Sequence, residues 1–159
     1  MTAKEQVRLL DAVGRRILEE LQRDARLSYA ELGRRVHLST PAVAERVRRM
    51  EEAGIITGYH AAVNPAALGL PIRAIIRVRA SLRSYDQVRR AVTEFPEVIE
   101  AHHLTGADDL LLTVLVCSVD HLESVLDRLR PLGDHVTSLV LSSPVERRPI
   151  VPREDFCPD

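Results

Sequence analysis

The chain has 159 residues, 45% of them hydrophobic and 28% charged, with a formal net charge of −1. That is the balance of a globular protein of one ordinary domain or two small ones, and it excludes a disordered chain. The longest apolar run, Leu110 to Cys117, is far shorter than the about 20 residues needed to cross a bilayer, and no basic-then-apolar leader opens the chain. A cytoplasmic protein with no membrane partner is expected. Cys117 and Cys157 stand far apart with no Cys-x-x-Cys spacing, which rules out a disulfide framework and argues against a Cys-based zinc site. Cys117 ends an apolar run and reads as a small core residue; Cys157 sits in a Pro-rich tail and reads as a free thiol.

Residues 1–54 read as helices only. Asp11 is placed to cap a segment whose Val13, Ile17, Leu18 and Leu21 fall on one helical face. Ser28 and Glu31 have the spacing of a capping box, followed by Leu32 and Val36 on a buried side. His37-Leu38-Ser39 makes a short break. Ser39 or Thr40 then caps a third helix, with Pro41 in its first turn and Val43, Val47 and Met50 as its core stripe. Gly54 suits the C-terminal cap. Two short helices joined by about three residues, the second one basic, form a helix-turn-helix pattern. Arg26, Arg34, Arg35, Arg46, Arg48 and Arg49 stand against Glu31 and Glu45 in this stretch, the local excess expected of phosphate contact.

Residues 55–71 lose the helical period and read as a hinge holding a short strand over 56–63. From Ile72 the period becomes two, with Ile72, Ala74, Ile76, Val78 and Ala80 alternating with Arg73, Ile75, Arg77 and Arg79. Ser84 caps a helix with Val88, Ala91, Val92 and Phe95 inward, ended by Pro96. Strands are expected over 97–105, over Leu110 to Cys117 and from His135 to Ser142. Ser118 caps a helix carrying Leu122, Val125, Leu126 and Leu129 inward. The order over 72–143 is β-α-β-β-α-β, the ferredoxin-like unit, and a Pro-rich tail follows over 144–159. The fold class is α+β.

These spaced elements resemble the Lrp/AsnC family of transcriptional regulators. The resemblance is carried by Leu10-Asp11 with Arg15-Arg16-Ile17-Leu18, and by the run from Asp24 to Leu32. It continues through Leu38-Ser39, Val43 with Arg46-Val47, and Glu51 with Gly54-Ile55-Ile56. In the second half it rests on Val98, Ala101-His102, Thr105-Gly106 and Asp109. It implies an N-terminal (winged) helix-turn-helix DNA-binding domain and a C-terminal ferredoxin-like ligand-sensing domain. It further implies a homodimer assembling to a tetramer or octamer, and a small effector, an amino acid, as regulator. The sequence departs from the family in Gly14 where Asp is usual, His37 where Gly is usual, and Asp108 and Leu110 where aromatics are frequent around Asp109.

On the third helix Ala42, Glu45, Arg46 and Arg49 lie opposite the core stripe, free to enter the major groove of double-stranded DNA, where Arg takes guanine bidentately. Ser39 and Thr40 at that helix's N-terminus, Ser28 and Tyr29 before it, and Arg35 are expected on phosphates. The plainer reading is a solvated basic helix. The turn Thr105-Gly106-Ala107-Asp108-Asp109, with His103 beside it, offers N–H groups to a carboxylate and carboxylates to an amine, or is an ordinary Asp-capped turn. His102 and His103 point to opposite faces of a strand and cannot share one metal ion, so structural histidines are expected and no metal site. The Ile72-Ala74-Ile76-Val78 row is expected to supply a dimer interface, helped by strand 56–63.

No nucleophile–base pair, phosphate-binding glycine motif or acidic dyad is visible, so a non-enzyme without cofactor is expected. Two alternatives share the architecture: an enzyme resembling siroheme decarboxylases, and an assembly module without DNA binding.

Overall fold

The structure is a computed structural model, and it describes residues 8–80 and 85–150. The chain divides into two compact units, one of residues 1–62 with 145–159 and one of residues 63–144.

The first unit holds α1 (Ala12–Arg23), α2 (Tyr29–Val36) and α3 (Thr40–Glu52). Each starts where a side chain satisfies an otherwise unpaired N–H: Asp11 accepts from Gly14 N, Ser28 from Glu31 N and Ser39 from Ala42 N. Ser39, not Thr40, is therefore the cap of α3. Ile17, Leu21, Leu32, Val36, Val43, Val47 and Met50 form one buried cluster, each side chain contributing roughly 1.5–3 kcal/mol by leaving water. His37 ends α2 in the left-handed region at φ 57°, which His tolerates better than a β-branched residue does.

Two glycines here mark close approaches of backbone to backbone. A Cβ on Gly33 would lie 2.6 Å from the Leu38 carbonyl oxygen, so the turn folds back onto α2 only because that side chain is missing. A Cβ on Gly14 would lie 1.8 Å from the Leu9 carbonyl oxygen. The Gly14 departure, a weak helix former by composition, is thus a packing requirement.

The expected strand over 56–63 does not form: these residues have neither helix nor strand conformation, and Pro65–Leu68 makes a single 3-10 turn. A strand exists only when its N–H and C=O groups find a ladder partner, and this segment pairs with no other strand among the described residues. The tail does not hang apart either. Gln22 on α1 holds Ile150 by two reciprocal hydrogen bonds, Nε2 to the Ile150 carbonyl at 3.0 Å and the Ile150 N–H to Oε1 at 2.8 Å.

The second unit is a four-stranded antiparallel sheet of β1 (Ile72–Ala80), β2 (Val98–His103), β3 (Leu110–Val116) and β4 (Gly133–Leu139), in the order β2-β3-β1-β4. Two helices, α4 (Tyr85–Thr93) and α5 (Val119–Leu129), connect its strands. The expected cap Ser84 lies outside the described residues, whereas Ser118 accepts from His121 N as expected. β2 is shorter than 97–105. β4 begins earlier than His135, because Gly133, at φ 151°, passes so close to Arg79 that a Cβ would lie 2.3 Å from its carbonyl oxygen.

One core forms on one face of this sheet. Ala74, Ile76 and Val78 pack with Leu110, Leu112, Val114 and Val116, and with Val88, Val92, Leu122, Val125 and Leu129 of the helices. The row expected at a dimer interface is therefore covered by the chain's own helices. The register puts Arg77 beside Leu111 and Val136, and Ile75 beside Thr113 and Ser138, on the opposite face. The sequence offers two alternating sets, and packing assigns the larger apolar one inward because it removes more apolar area from water.

Candidate nucleic-acid interface and ligand turn

α3 presents Ser39 and Thr40, both exposed, at its N-terminus, then half-buried Ala42, Glu45 and Arg46, and exposed Arg48 and Arg49. Ser28, Tyr29 and Arg35 are exposed on and before α2. The expected residues thus lie toward solvent, but their charges are engaged. Among the described residues five of the six arginines in the basic stretch pair with carboxylates. Arg34 and Arg35 pair with Glu31, Arg48 with Glu45 and Glu52, Arg49 with Glu45, and Arg46 with Asp11. Glu31 and Glu45 lie within the basic stretch, but counting along it missed Asp11 and Glu20, which come from the cap and the body of α1, and Glu52, which follows the stretch.

The pairs are not equivalent. Glu45 Oε1 takes Arg48 Nη2 at 2.8 Å and Arg49 Nε at 2.7 Å, and these two guanidiniums, Arg48 foremost, hold its carboxyl down at about 2. Arg48 and Arg49 keep 54% and 61% of their side chains in solvent, so phosphate can displace Glu45 at little cost. Arg35 bridges Glu31 at 3.0 Å and Glu20 at 2.8 Å, and Glu20 is only 3% exposed. Arg16 at 2.8 Å and Arg23 at 3.6 Å complete the surroundings of that buried carboxylate. Arg35 joins α2 to α1 rather than standing free for a phosphate.

Arg46 forks onto Asp11, Nη1 to Oδ1 at 2.6 Å and Nη2 to Oδ2 at 2.7 Å, across 35 positions of sequence. The Arg46 hydrogen bond, helped by the Gly14 N–H, holds the Asp11 carboxyl at about 2 against a usual 3.8. A depressed carboxylate stabilises the fold fully above its unfolded value and loses that contribution as pH falls through the folded one. Thermal stability of the first unit should therefore fall from about pH 4 towards pH 2. In Asp11→Asn, which keeps one capping oxygen, that part of the slope should flatten. An unchanged slope measured by thermal unfolding across this range would deny the pair its role.

The second site is the turn at 105–109. Gly106 has φ 114° with open space around its Cα, so a side chain there is opposed by backbone conformation and not by neighbours. Asp109 closes the turn. Its N–H donates to Val78 O at 2.9 Å, its carbonyl accepts from Leu104 N at 2.9 Å, and its Oδ2 accepts from Ala80 N at 2.8 Å. The Asp109 carboxylate thus ties the turn to β1, as an Asp-capped turn does. Asp108 is the half-buried carboxylate left at the surface, 3.7 Å from both Arg77 Nη1 and Arg79 Nη2. Arg79 Nε also donates to Ala107 O at 2.8 Å. Arg77 and Arg79 belong to the second set of the period-two alternation in β1, and that alternation is the sequence signal that finds them. His103 is exposed on the edge strand beside the turn, with His102 also exposed. Among the described residues no group of three or more His, Cys, Asp or Glu side chains is arranged to hold a metal ion.

An open groove of about 610 Å³ lies elsewhere in the first unit, lined by α1, residues 55–60 and tail residues 147–150. None of the α3 residues named above lines it.

Residues 10–51 match the AsnC-type helix-turn-helix domain and residues 73–150 the Lrp/AsnC ligand binding domain. The chain belongs to the Lrp/AsnC family. This Lrp/AsnC protein is 40% identical over 144 residues to HTH-type transcriptional regulator Rv2324 of Mycobacterium tuberculosis, a match spanning 88% of this chain and 97% of that one. Among solved structures, LrpC of Bacillus subtilis is 33% identical with a TM-score of 0.81, covering 84% of this chain and 96% of that one. Regulator NMB0573 of Neisseria meningitidis, in complex with L-Met, is 31% identical with a TM-score of 0.84, covering 89% and 96%. The chain is thus a helix-turn-helix transcriptional regulator of Lrp/AsnC type with a ligand-binding domain. The relatives bear the names of regulators rather than of decarboxylases. Among the described residues no helix is long and apolar enough to cross a membrane.

Proposed function

We propose that this Lrp/AsnC regulator binds double-stranded DNA as a homodimer with α3 of each protomer in a major groove. In this reading Arg49 reaches a base edge and Ser39 and Thr40 meet phosphate at the N-terminus of α3. Arg46 acts through Asp11 by holding α3 against α1. The observation that carries it is the exposed face of α3, whose Arg49 shares its carboxylate with Arg48 and reaches a base edge at the expense of one weak, solvent-exposed ion pair.

The effector in this reading is an α-amino acid bound at the 105–109 turn where dimers meet in a tetramer or octamer. The L-Met complex of the Neisseria meningitidis relative supports it. So does the chemistry of the turn: Arg77 and Arg79 suit a carboxylate and Asp108 suits an amine. A ligand touching two dimers at once favours the assembly and changes how the helix-turn-helix pairs are spaced along DNA.

Titration calorimetry with the twenty amino acids tests the site. Binding by the wild type should weaken at least about tenfold in Asp108→Ala, the loss of one charged hydrogen bond, and vanish in Gly106→Val. Undiminished binding in both variants would place the ligand elsewhere. Light scattering that found a monomer at micromolar concentration would remove the assembly.

A further inference from the structure

The sequence shows no nucleophile–base pair, yet the fold makes one at the end of β3 opposite the 105–109 turn, roughly 20 Å along the strand. Cys117, exposed and not in a disulfide, follows β3 directly and precedes the α5 cap Ser118. Its Sγ lies 3.3 Å from His121 Nδ1. His121 Nε2 lies 3.1 Å from Glu97 Oε1, a carboxylate supplied from the segment before β2. Glu97 keeps only 10% of its side chain in solvent. Arg128 of α5 pairs with the same Oε1 and stacks over the Phe95 ring at 4.6 Å. The other carboxylate oxygen, Oε2, is buried and has no hydrogen-bond partner among the described residues.

The partners assign the histidine tautomer. Cys117 N–H donates to Nδ1 at 3.4 Å, so Nδ1 carries the lone pair and Nε2 the proton that Glu97 accepts. A neutral imidazole in that form is a base facing the thiol, and the carboxylate behind it stabilises the imidazolium that follows. The charges agree. The Glu97 hydrogen bond, then Cys117, pushes His121 up, and the His121 hydrogen bond draws the Cys117 thiol down from its usual 9.0. Burial pushes Glu97 up, but its own N–H, His121 and Arg128 outweigh that and hold it low.

We propose that Cys117, His121 and Glu97 form a reactive thiolate site that is oxidised by hydroperoxides, a covalent input to this regulator distinct from the 105–109 turn. His121 takes the thiol proton. The Cys117 thiolate attacks the near peroxide oxygen, an S–O bond forms as the O–O bond breaks, and sulfur is oxidised as oxygen is reduced. The imidazolium returns its proton to the leaving hydroxide or alkoxide, so the products are a sulfenic acid and water or an alcohol. Arg128 and Ser118 are positioning residues, the first fixing Glu97 and the second accepting the His121 N–H at 3.0 Å.

The test uses the full chain with Cys157→Ser, leaving one thiol. Iodoacetamide labelling is followed by mass spectrometry from pH 5.5 to 9, on folded protein and on the same protein unfolded in urea. Each unit by which the thiol pKa falls gains about threefold in rate below it, after the loss of intrinsic nucleophilicity. At pH 6.5 folded Cys117 should react faster than unfolded Cys117. His121→Gln should lose this advantage, and Glu97→Gln should move the pH midpoint upward while circular dichroism stays that of the folded chain. Hydrogen peroxide should then give a sulfenic acid at Cys117 trapped by dimedone. Labelling no faster in the folded chain, midpoints unmoved by both variants, or a Cys117 that peroxide leaves unoxidised would each overturn the proposal.

Discussion

Arg49→Ala should weaken binding to an operator duplex by about 1–3 kcal/mol, roughly five- to 150-fold, and relax preference at one base position. Its melting temperature should stay near that of the wild type, because it loses only an exposed ion pair with Glu45. Arg46→Ala should behave in the opposite way. It removes both hydrogen bonds to Asp11 and leaves the cap of α1 without its counter-ion, so the first unit should melt several degrees lower. Binding of the protein that remains folded should keep its base preference. Fluorescence anisotropy at two salt concentrations, beside thermal unfolding, separates the variants. If Arg46→Ala alone relaxed base preference, Arg46 would leave Asp11 on binding and read the base in place of Arg49. Arg35→Ala should likewise cost stability before it costs salt dependence, because its guanidinium serves buried Glu20.

Gly14→Ala should destabilise the chain by about 1–3 kcal/mol, although helix propensity alone predicts a gain of about 1 kcal/mol for that exchange. The added carbon would land 1.8 Å from the Leu9 carbonyl oxygen and 3.0 Å from the end of Met50, one of the buried residues of the first unit. Backbone must move and a packed methionine must give way. For a unit of this size a loss of that order lowers the melting temperature by about 4–8 °C per kcal/mol. A matched control is Gly54→Ala, where nothing lies within 4 Å and only the positive φ of 66° opposes the change. A Gly14→Ala protein melting above the wild type would show that the segment before α1 does not pack as described.

Much of the architecture follows from local rules. Asp11, Ser28, Ser39 and Ser118 cap the helices their spacing indicates, and β1 runs over Ile72–Ala80 where the period becomes two. Capping and alternation are properties of a few adjacent residues, so one sequence displays them. The same holds for the exposed face of α3, which a 3.6-residue period sets opposite Val43, Val47 and Met50.

What only the tertiary structure decided is which residue meets which. Alternation in β1 defines two faces but does not say which one the helices cover; packing gave Ala74, Ile76 and Val78 to the core and left Arg77 and Arg79 beside Asp108. A strand over 56–63 satisfies the local pattern yet lacks a ladder partner. Arg46 looked free until α1 brought Asp11 to it, and Gly14 looked costly until Leu9 came against it. Cys117 looked like core because it ends an apolar run. Its spacing of four from His121 was visible, but Glu97 reaches them only because β2 and β3 are neighbours in the sheet. Contacts between positions distant in sequence are set by packing of whole elements, and no local period encodes them.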